Sequence, residues 1–200
     1  PFEVVVGAVL TQNTAWTNVE KAIGALDAAG VLDPRALHAK DRDTLAGLIR
    51  PAGYFNVKAR RLQAVVAFLM EAAGGDVAAL GTVGTDELRT RLLDVHGVGR
   101  ETADSILLYA LDKPVFVVDA YTRRIFGRLG FIDPRAAYDH IRARFEGALD
   151  RDAALYNDYH AQIVIHAKDT CRGKPLCADC VLGDLCASRV EHEVNRSARE

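Results

Sequence analysis

The chain has 200 residues, half of them hydrophobic, and a net charge of −2. It can bury the core of one or two domains, and it is not a globally basic nucleic-acid coat, so any DNA contact must come from local basic patches. No apolar run is long enough to cross a membrane, no secretory signal is evident, and all four cysteines fall within residues 171–186, which favours metal binding in a reducing compartment over a disulfide framework.

Few segments alternate with period two, and helical spacing recurs throughout, so an all-α fold is predicted. Residues 1–10 are apolar and read as a buried helix, with Pro1 suited to its start. Thr11-Gln12-Asn13-Thr14-Ala15-Trp16 breaks that run and precedes a helix over 17–29, with Thr14 or Thr17 as its cap. On residue type alone, Gln12 is a polar residue of a surface turn. Trp16, the only tryptophan, is either core packing or a stacking wall for an extruded base. Residues 31–50 hold two short helices capped by Asp33 and Asp41. Gly53-Tyr54-Phe55-Asn56-Val57-Lys58-Ala59 leads into a helix over 57–70, with Asn56 as cap. Lys58, Arg60 and Arg61 lie near its start and are either a solvated face or phosphate contacts. A glycine-rich loop follows over 72–85, and Thr85-Asp86-Glu87 opens the next helix with acidic residues in its first turn.

The chain is organised around residues 92–119. Two apolar helical segments flank Gly97-Val98-Gly99, a spacing that allows a tight hairpin because glycine accepts positive φ. The amides that open the second helix precede its hydrogen-bond ladder and suit a phosphate, although a plain packing corner would carry the same residues. No Walker Lys-Ser/Thr follows, which sets aside a nucleotide-binding loop of that kind. Lys113-Pro114 then breaks the chain, and the domain boundary is placed there: a six-helix domain over 1–112 and a second helical domain over 113–200. Asp119 ends the apolar run 115–118, where a lone carboxylate needs a task or a partner. It also stands at a helix N-terminus, where it can serve as cap and still face a cleft. Arg124 and Arg128 share one face of that helix. Four thiols spaced C-x5-C-x2-C-x5-C suit either an all-thiolate zinc site or an iron–sulfur cluster.

Taken together, the hairpin, the Lys-Pro break, Asp119, the Gly53–Ala59 stretch and the cysteine cluster resemble the endonuclease III superfamily of helix-hairpin-helix DNA glycosylases, over nearly the whole chain. The resemblance implies two helical domains with a DNA-binding cleft between them. It implies that Gln12 enters the base stack at the vacated position and that Tyr54 wedges beside the extruded nucleotide, with His96, Gly97, Val98, Gly99, Arg100 and Arg124 also on DNA. Cys171, Cys177, Cys180 and Cys186 would hold a [4Fe–4S] cluster, the first loop being one residue shorter than the C-x6-C of the family. Arg172 and Lys174 between the first two cysteines look like a second basic contact to DNA. The hairpin carbonyls would hold a monovalent cation. Relatives carry one more helix ahead of the position of Pro1, so the second domain is expected to lack it here.

One departure bears on the chemistry. Endonuclease III reads Gly-Val-Gly-Arg-Lys-Thr-Ala, and its lysine forms an imine with the sugar. Here Glu101 stands in that place. A carboxylate cannot form an imine, so strand cleavage should be weak or absent, with water as nucleophile and Asp119 as the catalytic carboxylate. Gln12-Asn13-Thr14-x-Trp16 with Gly99-Arg100-Glu101-Thr102-Ala103-Asp104 looks similar to the 3-methyladenine glycosylases of endonuclease III type. Their monofunctional chemistry and aromatic pocket place Trp16 against the flipped base. The alternatives are a bifunctional glycosylase/lyase for oxidised pyrimidines and a non-catalytic damaged-DNA-binding module. The expected partner is duplex DNA with a damaged base, and the expected state is a cytoplasmic, nucleoid-associated monomer of prokaryotic type.

Overall fold

Helices form wherever the apolar spacing recurs, and the computed structural model describes residues 1–189 with no strand among them. By its internal packing the chain divides into two compact units, Pro1–Val115 and Phe116–Glu200.

The first unit is built around α1 (Phe2–Leu10), whose Val5, Val6, Val9 and Leu10 are fully buried. A helix apolar on nearly every side must be largely enclosed, and from Val5 onward α1 is, with Glu3 and Val4 of its first turn exposed. Around it pack α2 (Trp16–Ala28), α5 (Phe55–Ala73) and α7 (Arg100–Ser105), the last continuing as one wide π-helical stretch, Ile106–Ala110. The short helices α3 (Pro34–His38) and α4 (Arg42–Leu48) pack on α5 and are capped as expected. Asp33 accepts from the amides of Arg35 and Ala36, and Asp41 from that of Thr44. α6 (Thr85–Leu93) leads to the hairpin and packs against α7.

Three expected caps are absent. α2 starts on Trp16 behind an extended Ala15, with no side-chain cap, so neither Thr14 nor Thr17 serves. α5 starts two residues earlier than the spacing predicted, and Asn56 lies inside its first turn. Thr85 is likewise the first helical residue of α6, behind Gly84. In each case the chain enters the helix at a point set by its preceding turn: Thr14 falls one position before the cap, and Thr17, Asn56 and Thr85 fall one or two positions after it. Lys58 is a further correction. It is 1% exposed, and its Nζ donates to the carbonyls of Leu10 and Ala52, both at 2.8 Å. It therefore ties α5 to the end of α1, and burial pushes its ammonium pKa down, with help from the charge of Arg61.

The second unit starts with a buried non-helical segment at residues 116–118 and then holds α8 (Ala120–Leu129), α9 (Tyr138–Glu146) and α10 (Ala153–Asp169), with α8 packed on α10. Its core is aromatic. Phe116 stacks on Phe145 at 4.3 Å between centroids, and Phe126 meets the same ring edge-on at 4.7 Å. The amide of Phe116 donates to the Glu146 carboxylate at 2.9 Å, which satisfies a buried backbone group outside any helix. The cysteine loop follows α10 and ends in a short 3₁₀ turn, Gly183–Leu185.

Candidate active site and nucleic-acid interface

In the first unit the hairpin corner is made by Gly97 alone. Its φ is +83°, in the left-handed region, and a Cβ there would run into the aliphatic part of the Arg61 side chain. Gly99, expected to share that role, is extended at φ −92° and ψ 177° and precedes α7, with open space where its side chain would be. The first glycine turns the chain, and the second leaves room for something to approach the start of the helix. The first backbone bond of α7 runs from the Ala103 amide to the Gly99 carbonyl at 2.9 Å, so the amides before it precede the ladder. His96 and Arg100 are exposed beside this corner, while Val98 is buried as its apolar anchor.

Gln12, expected in the base stack, is turned onto the hairpin. Its Nε2 donates to the Gly97 carbonyl at 3.2 Å and to the Thr102 hydroxyl at 2.9 Å, and its Oε1 accepts from the guanidinium of Arg61. The loop after α1, the start of α5 and the hairpin are thus joined by one side-chain amide. The Gly97 carbonyl expected among the cation ligands already accepts this bond. Arg61, which sequence reading placed in a loose basic cluster, has both a polar and a packing role here.

Tyr54 precedes α5 with φ 45° and ψ 33° and is 73% exposed. A bulky residue in the left-handed region costs about 1–3 kcal/mol and persists where the surroundings impose it, most often at functional sites. Trp16 is 50% exposed, so plain core packing does not describe it. The far end of its indole lies over Gly7 of α1. Behind the hairpin, Arg89 of α6 and Asp104 of α7 form a two-point ion pair, with Nε to Oδ1 at 2.6 Å and a second nitrogen to Oδ2 at 3.2 Å. The Asp104 side chain is wholly buried. This brace had no local signal in the sequence.

In the second unit Asp119 is the N-cap of α8, as expected. Its Oδ1 accepts from the Thr122 amide at 2.7 Å and the Thr122 hydroxyl at 2.9 Å. Its Oδ2 faces Nε2 of His160 on α10 at 3.6 Å. Burial pushes the His160 imidazole below its usual pKa, and the charge of Asp119 works against that shift. Sequence reading missed His160, because nothing in 156–167 distinguishes it from any other polar position of a helix.

Arg124 and Arg128 do share a face of α8, and that face meets the cysteine loop. Arg124, expected on phosphate, stacks over the ring of Tyr121 and donates to the carbonyls of Cys171 at 2.8 Å and Ala167 at 2.9 Å. Arg128 donates to the Cys171 sulfur at 3.2 Å and to the carbonyls of Arg172 and Gly173 at 2.7 and 3.1 Å. Both guanidiniums are used inside the protein, where α10 ends and its last carbonyls lack helical partners. The four cysteines are unpaired, partly buried, and line a single small cavity. Burial and the crowding of Cys186, Cys180 and Cys171 push the Cys177 thiol up. Among the described residues no three ligating side chains converge tightly enough for a single metal ion. The arrangement of four thiols around one cavity, with an N–H donor on one sulfur, fits a larger thiolate-held group.

A profile for "HhH-GPD superfamily base excision DNA repair protein" matches residues 6–151. The chain belongs to the HhH-GPD superfamily. A protein of Methanocaldococcus jannaschii, "Putative DNA repair glycosylase MJ1434", is 50% identical over 94% of this chain and 86% of its own length. The endonuclease III of Thermotoga maritima is 32% identical over 93% of this chain and 82% of its own. Among solved structures, the H. pylori 3-methyladenine DNA glycosylase bound to 1,N6-ethenoadenine is 31% identical, covers 84% of each chain and superposes with a TM-score of 0.74. A non-covalent endonuclease III–DNA complex, 25% identical, covers 97% of this chain and 86% of that one with a TM-score of 0.83. The all-α fold and the helix-hairpin-helix predicted from the sequence are those of this superfamily. No helix among the described residues is long and apolar enough to cross a membrane.

Proposed function

We propose that this member of the superfamily is a monofunctional DNA N-glycosylase that flips a damaged base out of duplex DNA and hydrolyses its bond to the sugar, with alkylated purines as the substrate class. Two observations, one from each unit, carry this reading. The hairpin has a carboxylate, Glu101, where endonuclease III has its amine, and in the second unit the carboxylate of Asp119 uses only one oxygen for its cap.

As the glycosidic bond breaks, positive charge develops on the sugar. Asp119 supplies the fixed negative charge that stabilises it, and its Oδ2 takes a proton from water attacking the anomeric carbon. The electron pair of the broken bond leaves with the base. An alkylated purine that is already cationic leaves readily, so this modest apparatus suffices. The hairpin before α7, open at Gly99, holds a phosphate of the backbone, with His96 and Arg100 beside it. Tyr54 fills space next to the extruded nucleotide and the half-exposed Trp16 stacks on the base. The likeness to the 3-methyladenine glycosylase supports this substrate class.

The four cysteines are assigned to a [4Fe–4S] cluster, which would cross-link the loop that carries Arg172 and Lys174 and present both cations to DNA. Arg124 and Arg128 hold the same loop to α8.

The test is base release from duplexes carrying methylated purines, thymine glycol or uracil, scored with and without alkali, for the wild type beside Asp119→Asn. Release of methylpurine that needs alkali to cut the strand, and that vanishes in the variant, is expected. The close overlay on the endonuclease III–DNA complex favours a second reading, a bifunctional enzyme using another amine. Strand cutting without alkali and covalent trapping by borohydride would establish that one instead. Intact binding with no release from any substrate would leave a damage-binding module.

A further inference from the structure

Among the described residues four aspartates cap helices, and they do not all have the same surroundings. Asp33, Asp41 and Asp152 each use Oδ1 for the cap in an exposed setting. Asp119 uses Oδ1 in the same way, but its side chain is 15% exposed, and its Oδ2 points at the imidazole of His160, itself 13% exposed. A cap needs one oxygen. The second oxygen of Asp119 has a neighbour from another helix. His160 reaches it because α10 packs along α8, which is also the contact that builds the core of this unit.

We propose that His160 is a positioning residue for Asp119: the neutral imidazole donates through Nε2 to Oδ2 and, with the two Thr122 donors on Oδ1, fixes the carboxylate plane in which Asp119 meets the attacking water. This rests on the assignment of Asp119 as the catalytic carboxylate. A shift of about 0.5 Å brings the 3.6 Å separation into hydrogen-bond range. Burial favours the neutral imidazole, which is the form that can orient the carboxylate without quenching its charge. Asp119 is the charged group that acts on His160. In the reaction the water proton passes to Oδ2 as the oxygen–carbon bond forms and the carbon–nitrogen bond breaks. The imidazole gains and loses no proton; it keeps the second lone pair of Oδ2 pointed at the water.

The experiment is single-turnover base release from a 7-methylguanine duplex by the full-length wild type, His160→Leu, His160→Gln, Asp119→Asn and the Asp119→Asn/His160→Leu double variant. Binding to an abasic-analogue duplex is measured in parallel. His160→Leu should slow release tenfold or more with binding unchanged. His160→Gln, which keeps an N–H donor near the position of Nε2, should recover most of the rate, and the double variant should be no slower than Asp119→Asn. Independently of any substrate, the NMR titration of the His160 imidazole should move to lower pH in Asp119→Asn, because the carboxylate that favours its protonation is gone. An unimpaired His160→Leu beside an inactive Asp119→Asn would overturn this inference alone. So would a His160→Gln no better than His160→Leu, or an unmoved titration. An Asp119→Asn as fast as the wild type would overturn the catalytic assignment, and this inference with it.

Discussion

The side-chain amide of Gln12 donates to the carbonyl of Gly97 at 3.2 Å, across 85 positions of sequence. The bond joins the loop after α1 to the turn that sets the course of the helix-hairpin-helix, and Arg61 completes it from α5. The two hairpin glycines should therefore answer differently to alanine. Gly97→Ala puts a methyl group at φ +83° into the Arg61 side chain and should cost about 1–3 kcal/mol, read as a lowered unfolding midpoint. Gly99→Ala meets open space at an ordinary φ and should leave the midpoint unchanged while weakening duplex binding, since the methyl group occupies the approach to the start of α7. Equal effects of the two on stability would show that the corner is not built as described.

Arg89→Leu should destabilise the first unit by about 3–5 kcal/mol, because it removes the guanidinium from a carboxylate that is wholly out of water. Chemical denaturation reads the loss. The double change Arg89→Leu/Asp104→Leu should recover part of it, since the buried carboxylate is removed together with the arginine.

Glu101→Lys restores the amine of the endonuclease III hairpin. The variant should gain strand cleavage without alkali and a borohydride-trapped adduct on a duplex with an abasic site, both absent in the wild type. A variant that traps nothing would mean that the hairpin does not bring this position to the sugar.

The sign of the His160 shift sets a pH dependence of stability. The folded protein holds the imidazole below its unfolded pKa of about 6.5, so the unfolded chain binds the proton more readily. Its contribution is intact above pH ~6.5 and is lost as pH falls through the folded value. His160→Gln removes this titration, and its stability should fall less than that of the wild type over the same acid window in denaturation at fixed ionic strength.

Purified under reducing conditions, the chain should carry about four irons and show the broad visible absorbance of a thiolate cluster. Cys180→Ala should lose that absorbance and make the cysteine loop sensitive to proteolysis. Zinc in place of iron in the wild type would replace the cluster assignment.

What the sequence determined by itself was what neighbouring positions decide. Apolar spacing set the helices, because a residue three or four places along lies on the same face. Asp33, Asp41 and Asp119 announced their caps, because a cap reaches an amide two or three residues on. The glycine pair marked the hairpin, although only the fold showed that Gly97 alone takes positive φ. Residue type could not say where Thr14, Asn56 and Thr85 stand relative to a helix start, since the preceding turn fixes that. Tertiary structure decided the pairings that join distant segments: Gln12 on Gly97, Arg89 on Asp104, Lys58 inside the core, Arg128 on the Cys171 sulfur, and His160 on Asp119. Each is a polar or charged group whose partner arrives from another helix. A buried polar group must find some partner, but the chain alone does not say which one packing will bring.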